Sequence, residues 1–152
     1  NSQGILPARS LNFINTTSTL VAVTDVGNGN ANIAFQSQQI LVVPMSDLTT
    51  ALTTGTAKAY IRSPRAINLT NVRASLMTSS SSGLVTIQIR NGGTNMLSTP
   101  LTINQGSNTS IGATTPPVIS APTINDNDLL LFDITTAGTG ATGLMVTLLG
   151  NG

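Results

Sequence analysis

Histidine, cysteine, glutamate and tryptophan are all absent from the 152 residues of this chain. Proton transfer near neutral pH, thiolate nucleophilicity and most transition-metal binding depend on side chains of these types. Without cysteine the chain forms no disulfide, so its fold does not depend on a redox compartment. These absences predict a protein that is not an enzyme and that needs no cofactor.

Charged residues are also scarce, at 7% of the chain compared with about 25% in an average protein. The formal net charge of +1 is too small to attract a polyanion, so nucleic acid is not expected as a partner. The sequence has no apolar run of about 18 residues, the length that a transmembrane helix needs, so no membrane partner is expected either.

Small polar residues fill much of the chain instead, since threonine, serine and asparagine together supply 54 of the 152 residues. Threonine favours strands, whereas serine and asparagine favour turns. Few charges remain to protect sheet edges against pairing with other chains. We therefore expect a polar but nearly uncharged surface, partly covered by other subunits, on an extracellular or virion-exposed particle.

Strand patterns recur along the chain, separated by short clusters of Gly, Asn, Pro and Ser. They predict an all-β fold: a β-sandwich or jelly roll of about eight strands in residues 40–152, preceded by a short β-meander arm in residues 1–39. The turn at residues 91–93, Asn-Gly-Gly, has residues that accept a positive φ. Strands are predicted at residues 11–15, 20–24, 31–36, 40–43, 57–61, 71–76, 85–90, 96–103, 129–135 and 144–149.

The last two of these strands carry apolar residues at both alternating sets of positions. A strand that is apolar on both faces is covered on both sides, either by a second sheet or by a neighbouring subunit. The sequence therefore predicts a homo-oligomer in which sister chains shelter apolar residues of these strands. Leu130, Phe132 and Ile134 share one face of the first strand, and Leu144, Val146 and Leu148 share one face of the second. The alternate apolar positions are Leu129, Leu131, Met145 and Leu149.

Asp126 and Asp128 lie in the one cluster of acidic oxygens in the sequence, Asn-Asp-Asn-Asp at residues 125–128. They are candidate ligands for calcium, which takes about six to eight oxygen ligands. The cluster lacks the central glycine and the downstream glutamate of an EF-hand loop. A hairpin turn rich in Asn and Asp explains it without an ion, so we predict a turn rather than a metal site.

The other aspartates, Asp25, Asp47 and Asp133, are too scattered to predict a general acid and base pair. Serine is abundant, but the chain has no histidine and Lys58 is its single lysine. A nucleophile and an adjacent base are therefore not indicated. The sequence predicts no catalytic residue.

Tyr60 and Asn95 are the candidate contacts for a glycan or receptor. Sugar sites usually combine an aromatic face with fixed polar groups, and Phe35 and Phe132 fall on apolar strand faces where core packing explains them better. Tyr60 offers one ring, and Asn95 lies in a predicted exposed loop at residues 91–95. Two further exposed loops are predicted at residues 79–83 and 137–142. Weak contacts of this kind would gain strength from several copies.

Most of residues 40–150 resembles a β-domain common in bacteriophage fibre and virion structural proteins. The short units upstream, LNFIN (11–15), VAVTD (21–25) and ANIAF (31–35), resemble β-units that precede this domain in such fibres. The segments that carry the main resemblance are SDLTTALTTGTAK (46–58), RSPRA (62–66), LTNVRASL (69–76), SGLVT (82–86), NGG (91–93), LST (97–99) and AGTGATGLMV (137–146).

The resemblance implies a β-sandwich or jelly-roll module on a phage particle, often trimeric, with no catalytic residues. Related domains often carry acidic residues around the strand that follows residues 125–128, where this chain has Leu129, Leu130 and Leu131. That departure implies more contact with a neighbour than a free fibre tip would need.

We therefore expect a non-enzymatic virion structural protein, a homotrimeric fibre or capsid-decoration module on the particle surface. Its partners would be further copies of itself and other proteins of the capsid or tail. Two alternatives stay open: an adhesin module that binds a host receptor or surface polysaccharide, and a secreted structural protein of the cell surface unrelated to phage.

Overall fold

A computed structural model of the chain describes residues 19–27 and 30–152. These residues contain no helix, so the predicted all-β class is confirmed for them. Their strands are β1 (Thr19–Gly27), β2 (Asn30–Pro44), β3 (Gly55–Arg62), β4 (Ile67–Ser75), β5 (Val85–Asn91), β6 (Thr94–Asn95), β7 (Leu97–Thr99), β8 (Leu101–Ile103), β9 (Val118–Ile119), β10 (Thr123–Ile124), β11 (Leu129–Thr136) and β12 (Met145–Asn151).

The chain divides into two compact units, Asn1–Ser37 and Gln38–Gly152, whereas the sequence predicted a boundary after residue 39. In the first unit, β1 pairs antiparallel with the first part of β2, from Gly27 opposite Asn30 to Thr19 opposite Ser37. The sequence predicted separate strands at 31–36 and 40–43, but the structure has the single strand β2 there. The strand predicted at residues 11–15 lies outside the described residues.

The second unit is a sandwich of two antiparallel sheets. In the first sheet, residues 38–44 of β2 pair with β12, β12 with β4, and β4 with β10. In the second sheet, β3 pairs with β11 and β11 with β5, while β6 and β8 both pair with β5. β7 and β9 form a separate two-stranded antiparallel sheet.

The core lies between the two sheets and contains one of the two alternating apolar sets of β11 and β12. Leu130, Phe132 and Ile134 of β11 are at most 1% exposed. Leu144, Val146 and Leu148, in and just before β12, are at most 2% exposed. Burial of the alternate side chains of both sheets in one cluster defines a β-sandwich and is the main stabilising contribution to it.

Pro100 explains the largest error in the predicted strands. The sequence predicted one strand at 96–103, but the structure has β7 and β8 on either side of this proline, in different sheets. Proline has no N–H to donate to a ladder, so the chain leaves one pairing there and begins another. The predicted turn at 91–93 is correct, since Gly92 has φ +57° and Asn91 pairs with Thr94.

Candidate functional site

The outer surface of the first sheet carries large apolar side chains that the domain itself leaves uncovered. Ile40 pairs with Leu149, and Pro44 pairs with Met145, on neighbouring strands. Ile40, Val42 and Met145 are 56%, 49% and 39% exposed. We call Ile40, Val42, Pro44, Met145 and Leu149 the apolar face. Large exposed apolar patches are uncommon on soluble monomers and are typical of surfaces that contact another molecule.

Two further exposed apolar residues lie in loops close to Gly143, just before the beginning of β12. Leu48 and Met77 are both largely exposed, and both lie near Gly143. Gly143 has φ +65°, and a Cβ at this position would overlap Met77 and reach Leu48 at 3.4 Å. Arg73, which pairs with Thr147 of β12, brings a positive charge to this side of the sheet.

The second sheet presents a different outer surface, which contains both residues predicted as glycan contacts. Tyr60 of β3 pairs with Leu131 of β11, and Leu131 pairs on its other side with Arg90 of β5. Arg90 pairs in turn with Asn95 of β6. These four residues form one line across four strands, which we call the Tyr60 row. Tyr60 is 72% exposed, Asn95 is exposed, and Leu131 and Arg90 are half-buried.

Arg90 is held in place by a carboxylate beside the row, on the same face of β11 as Leu131. Its Nε and Nη2 donate to the two oxygens of Asp133 at 2.7 and 2.8 Å. Asp133 Oδ1 also accepts the N–H of Ala57 at 2.7 Å, where β3 bulges and Ala57 has φ +49°. The hydrogen-bonded guanidinium of Arg90 is the main cause that lowers the pKa of Asp133 below its usual value, and the Asp133 carboxylate in turn raises the pKa of Arg90.

In the predicted turn at residues 125–128, the carboxylate of Asp128 accepts hydrogen bonds from nearby residues of the protein. Asp128 Oδ2 accepts the backbone N–H of Asn125 at 2.7 Å and the side-chain amide of Asn91 at 2.6 Å. These donors, led by the Asn125 N–H, lower the pKa of Asp128. Asp126 is exposed. Within residues 19–27 and 30–152, no group of three His, Cys, Asp or Glu side chains could hold a metal ion.

Asp47 has a similar local role in the loop between β2 and β3. Its Oδ1 accepts the backbone N–H groups of Thr50 at 2.6 Å and Thr49 at 2.8 Å, and these bonds lower its pKa to about 2. A cavity of about 280 Å³ lies beside it, and Lys58 also lines that cavity. Lys58 Nζ donates to Thr53 Oγ1 at 2.7 Å. These contacts close a turn, and they do not assemble an acid and base pair.

Because the folded state lowers the pKa of Asp47, its contribution to stability should be complete above about pH 4 and should disappear as the pH falls towards 2. We expect Asp47→Asn to lower the urea midpoint of unfolding at pH 7. The difference from the wild type should shrink steadily in the same measurement at pH 4, 3 and 2. A difference that stays constant over this range would contradict the assigned role of the carboxylate.

The three predicted loops lie at two different ends of the sandwich. Loops 79–83 and 137–142 contact each other, since Ser81 N donates to Thr139 O and Thr139 N to Ser82 O, both at 2.9 Å. The 91–95 segment is a hairpin that lies beside the beginning of β11, whereas Ala137 follows the end of that strand. The predicted loops therefore do not form one joint surface.

Sequence reasoning missed Leu131 and Arg90 as the residues that connect Tyr60 to Asn95. Alternation within β3 and β5 would have placed Tyr60 and Arg90 on outer faces, but it does not identify which strands are neighbours. Asp133 was considered only as an acid catalyst, although its position opposite the bulge in β3 makes it a support for Arg90.

Among the residues that the structure describes, no helix is long and apolar enough to cross a membrane. No family model, no curated protein and no solved structure matches this chain. The function must therefore be argued from the two outer surfaces of the sandwich.

Proposed function

We propose that this chain is a non-enzymatic structural module of a bacteriophage virion, displayed on the particle surface and assembled with copies of itself. The observation that carries the proposal is the apolar face. Ile40, Val42 and Met145 expose 39–56% of their surface on the outer side of the first sheet, and a sister chain would remove them from water. Each buried Å² of apolar area contributes roughly 25 cal/mol to such an association before its entropic cost is subtracted.

The strand order supports the jelly-roll form of this sandwich. The order β2-β12-β4-β10 in one sheet, with β3-β11-β5-β8 in the other, is what two Greek keys produce in an eight-stranded jelly roll. Viral capsid proteins and lectins both use that architecture, so the order favours a particle component and does not by itself decide its task.

The composition supports the same proposal. A domain with 7% charged residues has little electrostatic repulsion between copies, and strand edges have few lysines to prevent pairing. We expect a homotrimer, with residues 1–39 attaching the module to the capsid or tail, as the resemblance to phage fibre proteins implies.

The first test is the oligomeric state. The wild type should elute as a homo-oligomer in size-exclusion chromatography with multi-angle light scattering. Val42→Lys places a charge in the middle of the apolar face, where burial would leave it without a partner. We expect this substitution to weaken self-association by about tenfold or more. Met145→Lys on the adjacent strand should act in the same direction.

Thr54→Lys is the matched control, since Thr54 is exposed in the loop before β3 and lies outside the apolar face. It should leave the oligomer intact, and far-ultraviolet circular dichroism should show the same β content for all variants. A wild type that stays monomeric at micromolar concentration, or a Val42→Lys variant that assembles normally, would overturn the proposed assembly surface.

The location on the particle has a separate test. An antibody against the purified domain should label the surface of purified virions in electron micrographs. Labelling of the host cell envelope instead of particles would favour the alternative of a secreted cell-surface protein.

A further inference from the structure

We propose that the Tyr60 row is a binding surface for an acidic saccharide chain. The row lies on the opposite side of the sandwich from the apolar face. The two surfaces can therefore act at the same time, one in assembly and the other in recognition.

The dimensions of the row suit an extended ligand. Tyr60, Leu131, Arg90 and Asn95 lie on four neighbouring strands, each paired directly with the next. With strands about 4.8 Å apart, the row is roughly 14 Å long. The row runs across the outer face of a sheet, so it fits a chain that passes across it better than a small molecule that must be surrounded.

The apolar part of the row is at the Tyr60 end. The Tyr60 side chain is 72% exposed and stands beside the half-buried Leu131. One face of a pyranose ring consists largely of C–H groups, and an aromatic ring stacks against it with little loss of conformational freedom because its side chain has two rotatable bonds. Tyr60 also keeps a hydroxyl that can donate to the ligand at the edge of the ring.

The polar part of the row has preorganised donors. Asp133, whose side chain is 9% exposed, holds Nε and Nη2 of Arg90, so the guanidinium plane is fixed while Nη1 remains directed away from that pair. A donor already fixed in position loses little entropy when it binds a ligand. The exposed side-chain amide of Asn95 is a further donor at the end of the row.

Arg62 supplies the charge that selects an acidic ligand. It lies two residues after Tyr60 on the same face of β3, and its Nη1 donates to the backbone oxygen of Asn127 at 2.9 Å. The ion pair between Arg90 and Asp133 is the one ion pair in the described part of the chain, so Arg62 forms no direct ion pair with a carboxylate there, although Asp126 and Asp128 flank the Asn127 that it contacts. A carboxylate on a sugar would complement it, and a planar guanidinium can bind one with two hydrogen bonds.

The test is binding of oligogalacturonate, an acidic saccharide, to the full chain immobilised at high density so that several contacts act together. Neutral dextran is the comparison ligand and poly-aspartate is the peptide comparison. We expect saturable binding of oligogalacturonate, weaker binding of dextran, and a loss of affinity as salt is raised. Tyr60→Ala should reduce the affinity by about tenfold, whereas Tyr60→Phe should keep most of it.

Arg62→Gln should reduce binding of oligogalacturonate and leave the weak binding of dextran unchanged. Binding of poly-aspartate as strong as that of oligogalacturonate would overturn the proposal, because negative charge alone would then explain the binding. No binding of oligogalacturonate, or binding that Tyr60→Ala does not change, would overturn it as well. Light scattering on the same samples separates this result from the assembly proposal, since Tyr60→Ala and Arg62→Gln should both keep the oligomer.

Discussion

Phe132→Ala should lower the free energy of unfolding by about 3 to 5 kcal/mol, the largest loss that we expect from a single substitution in this domain. Phe132 is fully buried at the centre of β11 and pairs with Ala59 on one side and with Ile89 on the other. Removing the ring withdraws its apolar surface from the core and leaves a cavity. The strands around it are held by their ladders on both sides, so they cannot close the space.

The measurement is urea unfolding followed by circular dichroism, at one fixed protein concentration because assembly raises apparent stability. If Phe132→Ala does not fold, Phe132→Leu keeps most of the volume and should cost about 1 kcal/mol. Thr135→Ala, at an exposed position of the same strand, should change stability by about 0.5 kcal/mol or less. Equal losses at residues 132 and 135 would contradict the assigned faces of β11.

Asp133→Asn should destabilise the protein by about 2 kcal/mol at pH 7. The substitution keeps the shape of the side chain and one acceptor oxygen, which can still face the N–H of Ala57. It removes the charge that pairs with Arg90 and replaces the oxygen that accepts from Arg90 Nε with an NH2 group, which is a donor. Breaking a fully buried ion pair costs about 3 to 5 kcal/mol. We expect less here because the Arg90 side chain is 22% exposed and water screens part of the interaction.

The loss should depend on pH in a defined direction. Pairing with Arg90 lowers the pKa of Asp133 in the folded state, so its stabilising contribution is present above the ordinary aspartate pKa of 3.8. It should vanish as the pH falls below that value and Asp133 becomes protonated. Wild type and Asp133→Asn should therefore unfold at increasingly similar urea concentrations as the pH is lowered from 7 to 2.

A double-mutant cycle that combines Asp133→Asn with Arg90→Gln measures the interaction energy between these two side chains. The two single substitutions should each destabilise the protein, and the double variant should lose clearly less than their sum, because each single change already removes the same interaction. Additive losses would show that Asp133 and Arg90 act independently. In that case the guanidinium of the Tyr60 row would not be positioned by the carboxylate.

Several features were predictable because they depend on residues close together in the chain. Period-two alternation identified the buried side of β5, and the two glycines after Asn91 identified the hairpin turn. Residues 31–36 and 40–43 were assigned to different strands because intervening polar residues resemble a loop. The structure continues them as β2, since the backbone of a strand does not require apolar side chains.

The partners of Tyr60 could not be predicted in the same way. Leu131 follows Tyr60 by 71 positions, and Arg90 lies between them in the sequence, yet all three are adjacent in the sheet. Tyr60 faces Leu131 because of the register in which β3 pairs with β11, and a bulge opposite Asp133 shifts that register only towards Gly55. A shift of one residue in this pairing would turn Tyr60 towards the core, so the row depends on a pairing between residues distant in sequence.

The amino-acid sequence by itself determined the all-β class and the inward face of β5, with Val85, Ile87 and Ile89, because composition and alternation act locally. Only the tertiary structure decided that Ile40, Val42 and Met145 share one exposed surface and that Tyr60, Arg90 and Asn95 share another. The physical reason is that strand neighbours and register are chosen by packing of the whole core, to which residues far apart in the chain contribute together.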